Sequence, residues 1–181
     1  MTRYAGFLRA INVGGRVVKM HELRRILEGW GAANVDTFIA SGNVVFDTAR
    51  RNAEAAERAI EDEMRRALGY PVVTFLRSLP ELSTVAAHAP FPQAQLSAAD
   101  ATLFVGFMKD APAGAIVKAV AALSDDLNAF AITGRELYWL RRRASTEPIG
   151  SGPPLERIVG SPITVRNVNT VRRMAAKYCV G

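Results

Sequence analysis

The chain has 181 residues, of which 49% are hydrophobic and 22% charged, and its mean hydropathy is +0.07. Apolar content at this level excludes intrinsic disorder, and no run approaches the roughly 18 apolar residues of a membrane span. The net charge of +6 is uneven: residues 1–126 contain 14 basic and 14 acidic side chains, whereas residues 127–181 contain nine basic and three acidic ones. The composition therefore predicts a globular protein with a basic last third.

The first half of the chain is predicted to have the element order β-α-β-β-α-β-α. Apolar residues at helical spacing begin at Met20, and Ser41-Gly42-Asn43 is a hairpin signal between two apolar runs. Ser78 and Glu81 have the spacing of a capping box, which opens a short helix. The predicted strands are 4–12, 35–40, 44–47 and 71–76, and the predicted helices are 20–30, 52–68 and 78–87.

The second half repeats this order. Its predicted strands are 102–108, 129–133, 136–140 and 163–166, and its predicted helices are 113–123, 154–159 and 171–178. Three short matches support a duplication, among them Ala5-Gly6-Phe7-Leu8-Arg9, which is echoed by Val105-Gly106-Phe107-Met108-Lys109. The others pair Ser41-Gly42 with Thr133-Gly134 and Pro71-Val72 with Pro162-Ile163.

These elements predict an α+β fold built as a tandem repeat of two ferredoxin-like halves. Each half has the βαββαβ order of a split βαβ unit, with four antiparallel strands and the helices on one face. The predicted halves are 1–88 and 101–181, joined by a linker at 89–100 that contains Pro90 and Pro92. One continuous mixed sheet is the rival architecture.

The sequence contains no familiar catalytic signature. Gly14-Gly15-Arg16 lacks the ending of a phosphate-binding P-loop, no dinucleotide fingerprint follows the first strand, and no nucleophile elbow is present. His21, His88 and Cys179 are too few and too scattered for a metal site, so neither a metal nor a cofactor is predicted. A single cysteine and the lack of a secretory leader predict a cytoplasmic protein.

Two polar clusters follow predicted strands of the first half. The first two strands of a split βαβ unit run in the same direction, so the loop after the first strand and the turn after the second lie at one end of the sheet. Glycines there let backbone N–H groups approach a ligand, which predicts an anion pocket, although turn formation explains the same residues. The candidate ligand-binding residues are Arg9, Asn12, Gly14, Gly15, Lys19, Ser41 and Asn43.

A third polar cluster precedes the last predicted helix. Asn169 or Thr170 is expected to cap that helix, which leaves Arg166 and Asn167 without an evident structural duty. An arginine beside a helix N-terminus suits a phosphate or a carboxylate, so both residues are added to the candidate site. Pairing of Arg166 with an acidic residue of the other half is the alternative.

Three segments resemble the bacterial family called domain of unknown function 1697. They are Leu8-Arg9-Ala10-Ile11-Asn12-Val13-Gly14-Gly15 with Lys19-Met20, then Thr37-Phe38-Ile39-Ala40-Ser41-Gly42-Asn43-Val44-Val45-Phe46, and Thr164-Val165-Arg166-Asn167-Val168-Asn169-Thr170. Together they extend the resemblance over essentially the whole chain, although the family usually has Gly, Gln and Trp where this chain has Ala10, Ala40 and Val168. The resemblance implies a tandem α+β architecture and brings no established activity.

The leading functional hypothesis is a cytoplasmic protein that binds a small anionic or phosphorylated ligand, and an enzyme acting on such a ligand would use the same pocket. The alternative is a nucleic-acid-binding module that uses the basic last third, with aromatic residues of the sheets stacking on bases. Those aromatics are Phe7, Phe46, Phe107 and Tyr138, and the dense apolar pattern favours core positions for them. A protein that only binds a partner is the third hypothesis.

Overall fold

The computed structural model describes residues 1–9, 11, 17–39, 42–142 and 155–179. Strands and helices follow one another along these residues in the predicted order, with one additional short helix, α4. The elements are β1 (Thr2–Leu8), α1 (Met20–Gly29), β2 (Ala33–Thr37), β3 (Asn43–Thr48), α2 (Ala53–Leu68), β4 (Thr74–Ser78), α3 (Leu79–Ala87), α4 (Gln93–Leu96), β5 (Ala101–Phe107), α5 (Gly114–Ala121), β6 (Asn128–Thr133), β7 (Glu136–Arg142), α6 (Leu155–Val159), β8 (Thr164–Asn167) and α7 (Val168–Tyr178).

The strands form two four-stranded antiparallel sheets, with the orders β2-β3-β1-β4 and β6-β7-β5-β8. The two orders correspond strand for strand, so the fold is mixed α+β with two similar sheets. Both β1 and β2 are antiparallel to β3 and therefore run in the same direction. The rival architecture of one continuous sheet is wrong for the described residues.

One of the two central strands of each sheet, β1 in the first and β5 in the second, has a glycine at a corresponding register position. Gly6 of β1 lies opposite Val44 on one side and Leu76 on the other. A Cβ atom at Gly6 would lie 2.9 Å from Cγ2 of Val44, and one at Gly106 of β5 would lie 2.7 Å from Cγ2 of Ile163. Neighbouring side chains fold over both glycines, which explains why each of these two strands tolerates no side chain there.

Each sheet carries its own apolar core. In the first core, Leu23 and Leu27 of α1 pack with Ile60 and Met64 of α2 against the sheet residues that include Phe46. These helix positions recur at three- and four-residue spacing, because a helix presents one face to a sheet. The second core is formed by Phe104, Met108, Val120, Phe130, Leu137, Trp139, Val159 and Ile163.

The outer edge of β4 is closed by carboxylates rather than by another strand. The backbone N–H groups of Thr74, Leu76 and Ser78 donate to Glu61, Glu57 and Glu81 at 2.8, 2.8 and 2.7 Å. Three alternate donors on an edge strand thus find acceptors from α2 and α3, which satisfies them and blocks pairing with another strand. Glu81 also accepts a hydrogen bond from the Ser78 hydroxyl, and the Glu81 N–H donates back to Ser78 Oγ at 3.4 Å. The predicted capping box is therefore confirmed.

Contacts divide the chain into two compact units. Unit 1 comprises Met1–Ser83 and Met174–Gly181, and unit 2 comprises Thr84–Arg173. Each unit contains one sheet, and both α3 and α7 contribute residues to both units. The division at 89–100 stays a prediction, and α4 lies within that segment.

Several predicted strand limits are shifted, because pairing partners set them. The first strand ends at Leu8 rather than at residue 12, since β4 offers partners only between Thr74 and Ser78. For the same reason β4 begins three residues later than predicted. The second strand begins and ends earlier than predicted, and its register shifts between Ala33 and Asp36, where Asn34 has a φ of 50°.

The first prediction concerns the apolar face of α1. Leu27 is 1% exposed, so Leu27→Ala is expected to lower the free energy of unfolding by about 2–5 kcal/mol through lost burial and a cavity. Arg25→Ala, at an exposed position of the same helix, is the control and should change it by less than about 0.5 kcal/mol. Chemical denaturation measures both, and equal values for the two variants would contradict the assigned helix face.

The second prediction concerns the closed edge of β4. Glu57→Met keeps the side-chain length but removes the acceptor of the Leu76 N–H group, so we expect a loss of about 1–3 kcal/mol and faster hydrogen exchange at that amide. Glu63→Met on the same helix removes an exposed ion pair with Arg66 and should cost less than about 1 kcal/mol. Unchanged protection of the Leu76 amide in Glu57→Met would show that the carboxylate is not the acceptor.

Candidate functional site

The end of β1 and the β2–β3 hairpin meet at one end of the first sheet. The Leu8 N–H group donates to the carbonyl oxygen of Gly42 at 2.8 Å, and the Arg9 N–H group donates to Val73 at 2.8 Å. The chain leaving β1 is therefore held on both sides. We define the rim as this end of the sheet, residues 8–9, 38–39 and 42–43, together with residues 17–19, which precede α1 on the connection from β1.

Gly42 is required by the close approach of the hairpin to β1. Its φ is +73°, and a Cβ atom there would lie 3.0 Å from the carbonyl oxygen of Leu8 and 3.3 Å from its Cβ. A residue with a side chain would be strained by its backbone conformation and crowded by β1. The glycine thus serves the geometry of the rim, in keeping with a turn-forming role.

Asn43 shapes the hairpin from inside. Its side chain is fully buried, its Nδ2 donates to the carbonyl oxygen of Phe38 at 3.1 Å, and its own carbonyl accepts the Phe38 N–H at 2.9 Å. The amide that the sequence suggested as a ligand contact therefore bonds to the backbone directly after β2. This is the behaviour of an asparagine that stabilises a turn.

Ile39 follows Phe38 in a strained conformation. Its φ is +50°, a left-handed conformation that a β-branched residue rarely adopts, and its side chain is 46% exposed. Such conformations cost about 1–3 kcal/mol and persist where surrounding contacts hold them in place. Strain at the rim marks the hairpin as a candidate functional element.

Of the remaining candidates of the first half, the structure describes Lys19 and Arg9. Lys19 is exposed directly before α1, and its side chain makes no capping hydrogen bond to that helix. Arg9 is half-buried where the chain leaves β1. The candidates Asn12, Gly14, Gly15 and Ser41 lie outside the described residues.

Arg166 and Asn167 belong to unit 2, at the end of β8. Arg166 Nη1 donates to Thr164 Oγ1 at 2.8 Å and to the Val165 carbonyl at 2.9 Å, and burial lowers the pKa of Arg166 to about 10, which leaves it cationic at neutral pH. Asn167 Oδ1 accepts the N–H of Asn169 at 2.8 Å. Asn167 is therefore the N-cap of α7, and the expectation that Asn169 or Thr170 caps this helix is wrong, because the helix begins directly after β8.

One carboxylate, which no sequence motif indicated, joins three elements of unit 1. Asp36 Oδ2 in β2 accepts hydrogen bonds from Lys177 Nζ at 2.8 Å and from Tyr178 Oη at 2.7 Å, both at the end of α7. Its Oδ1 accepts the Thr37 N–H at 2.8 Å and faces Arg24 of α1 at 3.4 Å. Donation by Lys177 and then by Tyr178 lowers the pKa of Asp36 from 3.8 to about 2.

The histidines and the cysteine have local roles. His88 Nε2 lies 3.2 Å from Thr133 Oγ1, and its ring is 4.9 Å from that of Tyr138. Cys179 donates to the Leu79 carbonyl at 3.3 Å, and burial raises the pKa of its thiol. Within the described residues, no group of three His, Cys, Asp or Glu side chains is arranged to hold a metal, and no helix has the length and apolar character needed to cross a membrane.

The fold is that of a mixed α+β protein with two four-stranded antiparallel sheets, and the rim is its candidate site. The model of the family described as "Protein of unknown function (DUF1697)" matches residues 1–138, and the chain belongs to that family. The resemblance found in the sequence is thereby confirmed, although the match does not reach the segment 164–170.

One solved structure supports the fold. The conserved bacterial protein SP0830 from Streptococcus pneumoniae is similar to this chain with a TM-score of 0.72 and 24% sequence identity, over 97% of each chain. At this identity the likeness concerns the fold alone. No curated protein matches the sequence.

The third prediction concerns the pH dependence of the Asp36 contacts. The pKa of Asp36 is lower in the folded protein than in the unfolded chain, so its contribution to stability is complete above about pH 4 and is lost as the pH falls toward 2. An NMR titration of the Asp36 carboxyl carbon, with the Tyr178 ring signals as a second probe, should show this step. Asp36→Asn should abolish the step at Tyr178, whereas Asp62→Asn at an exposed position of α2 should leave it in place. A midpoint for Asp36 near 3.8 would contradict the contacts with Lys177 and Tyr178.

Proposed function

We propose that this protein binds a small anionic ligand, with a phosphate group as the recognised chemistry, at the rim, and that it does so in the cytoplasm. The observation that carries the proposal is the 2.8 Å bond from Leu8 to Gly42, which holds the hairpin against the end of β1. Because β1 and β2 run in the same direction, the connection from β1 to α1, which includes Lys19, starts at this same end.

The charges around the rim favour an anion. Its described residues include the cations Arg9 and Lys19 and no acidic side chain. Lys19 precedes the N-terminus of α1, where the helix dipole adds a partial positive charge, and the Lys19 side chain makes no capping hydrogen bond there. The combination suits a phosphate monoester or inorganic phosphate better than a neutral ligand.

Asn43 supports this site indirectly. Its buried amide holds the hairpin in shape, so a ligand at the rim would be bound by Lys19, by Arg9 and by backbone N–H groups rather than by Asn43 itself. The strained backbone of Ile39 fits a hairpin that is held in a preorganised conformation.

A tandem duplication of ferredoxin-like units would place an equivalent end on the second sheet. Two observations support the duplication. The strand orders of the two sheets correspond, and the Met108 N–H donates to the Arg135 carbonyl at 3.0 Å, as the Leu8 N–H does to Gly42. There, however, Arg135 Nη1 donates to the carbonyl of Lys109, in the connection that follows β5, at 3.3 Å. We therefore assign ligand binding to the first half and regard 1–88 and 101–181 as copies that have diverged in function.

The fourth prediction tests ligand binding at Lys19. Inorganic phosphate added to the full chain is expected to shift the backbone NMR signals of Lys19, Met20 and Gly42, and Lys19→Ala should weaken this binding about tenfold, the loss of one favourable charge contact. Thermal stability should change little, since Lys19 is exposed. Lys118→Ala on α5, also exposed, is the matched control. Shifts confined to other residues, or equal affinities for the two variants, would refute the site.

Nucleic acid is the second candidate ligand, because Arg157, Arg172 and Arg173 of the basic last third are exposed. Stacking on the sheets is not available in the observed fold, since the aromatic candidates are at most 2% exposed: Phe7, Phe46, Phe107 and Tyr138. Titration with single-stranded RNA and with duplex DNA at several salt concentrations separates the two functions. Tight binding with a steep salt dependence would favour nucleic acid over the small ligand.

A further inference from the structure

The end of α7 contacts the strand that leads into the rim. Lys177 and Tyr178 both donate to the same oxygen of Asp36, at 2.8 and 2.7 Å. Two residues further along, the ring of Phe38 meets the ring of Tyr178 edge-on, with 6.2 Å between centroids and an interplanar angle of 77°. All four residues belong to unit 1. The last turn of α7 therefore makes a polar contact with β2 and an aromatic contact with the residue directly after β2.

Phe38 connects these contacts to the hairpin. On one side it exchanges two hydrogen bonds with Asn43, one through the backbone and one through the Asn43 side chain. On the other side its ring packs on Tyr178. The next residue is Ile39, whose left-handed conformation needs fixed neighbours to persist. The ring of Tyr178 thus contacts Phe38, the residue directly before the strained Ile39.

Asp36 also fixes the residues that lead into the hairpin, through contacts of its second carboxylate oxygen. Its other oxygen accepts the Thr37 N–H and faces Arg24, so one carboxylate joins α1, β2 and α7. The aromatic contact at Phe38 and the polar contact at Asp36 differ in chemistry and lie two residues apart in the sequence. Removing the end of α7 would release both at once.

We propose that Lys177 and Tyr178 form a C-terminal latch that positions the β2–β3 hairpin of the anion site without contacting the anion. The inference rests on the proposed function, since it assigns a regulation to that same site. The last turn of a helix is a region of low local stability, which makes it suited to such control. Any interaction that draws the last turn of α7 away from β2 loosens the hairpin and weakens binding at the rim.

The fifth prediction tests the latch on the full chain with graded variants. Tyr178→Ala removes the ring and the hydroxyl, Tyr178→Phe keeps the ring contact with Phe38, and Lys177→Met removes one donor to Asp36 while leaving Tyr178 in place. Lys118→Met on α5 is the matched control. Two readouts are measured for each protein: hydrogen exchange at the Phe38 and Asn43 amides, and affinity for inorganic phosphate by NMR titration.

Tyr178→Ala is expected to speed hairpin exchange and to weaken phosphate binding, each by about tenfold, with a smaller effect for Tyr178→Phe and for Lys177→Met and none for Lys118→Met. Exchange at the Leu27 amide in the core of unit 1 must stay unchanged, which shows that the effect is local to the hairpin. Should Tyr178→Ala disrupt the fold, Lys177→Met and Tyr178→Phe supply the same comparison at reduced size.

The outcomes separate the latch from the proposed function. Unchanged exchange at Phe38 and Asn43 in all three variants would overturn the latch, whether or not phosphate binds. Faster exchange with an unchanged phosphate affinity would overturn the coupling to the site. Failure of the unmodified chain to bind phosphate would overturn the proposed function, while faster hairpin exchange in Tyr178→Ala would still support positioning of the hairpin by α7.

Discussion

Backbone pairing of β1 on both of its sides is the interaction on which the first half depends. β1 is hydrogen-bonded to β3 and to β4, and Gly6 at its centre leaves room for the side chains of Val44 and Leu76 to close over it. At the end of β1 the N–H of Leu8 donates to the carbonyl of Gly42, and the N–H of the following residue donates to the carbonyl of Val73. The rim therefore inherits its geometry from the ladder, and the loop leaving β1 starts from a fixed point.

Polar groups inside unit 1 are placed where the sheet would otherwise leave donors unpaired. Glu57 is 2% exposed, yet its carboxylate faces the edge of β4 and accepts the Leu76 N–H. The same solution recurs in unit 2, where Glu156 accepts the N–H of Ile163 just before β8. A carboxylate accepts such bonds strongly and offers no donor of its own, so it closes an edge without extending the sheet.

Strain and support are concentrated in the β2–β3 hairpin. Gly42 allows the turn to approach β1, Asn43 bonds back to Phe38, and Ile39 adopts a conformation that other parts of the chain must hold. Tyr178 supplies part of that support from the other end of the chain. A binding site at the rim would thus be preorganised by contacts that the ligand itself does not make.

The order of strands and helices, the family and the capping box of Ser78 and Glu81 were determined by the sequence alone, because periodicity, motif order and capping depend on residues close together in the chain. Tertiary structure decided where strands end, since Leu8 and Thr74 limit each other across the sheet. It also decided that Asn43 is buried and that Asp36 accepts a hydrogen bond from Lys177, a partner 141 residues away. Pairings at such separations leave no local pattern, so the physical role of each of these polar residues emerged only once the sheet had brought its partners together.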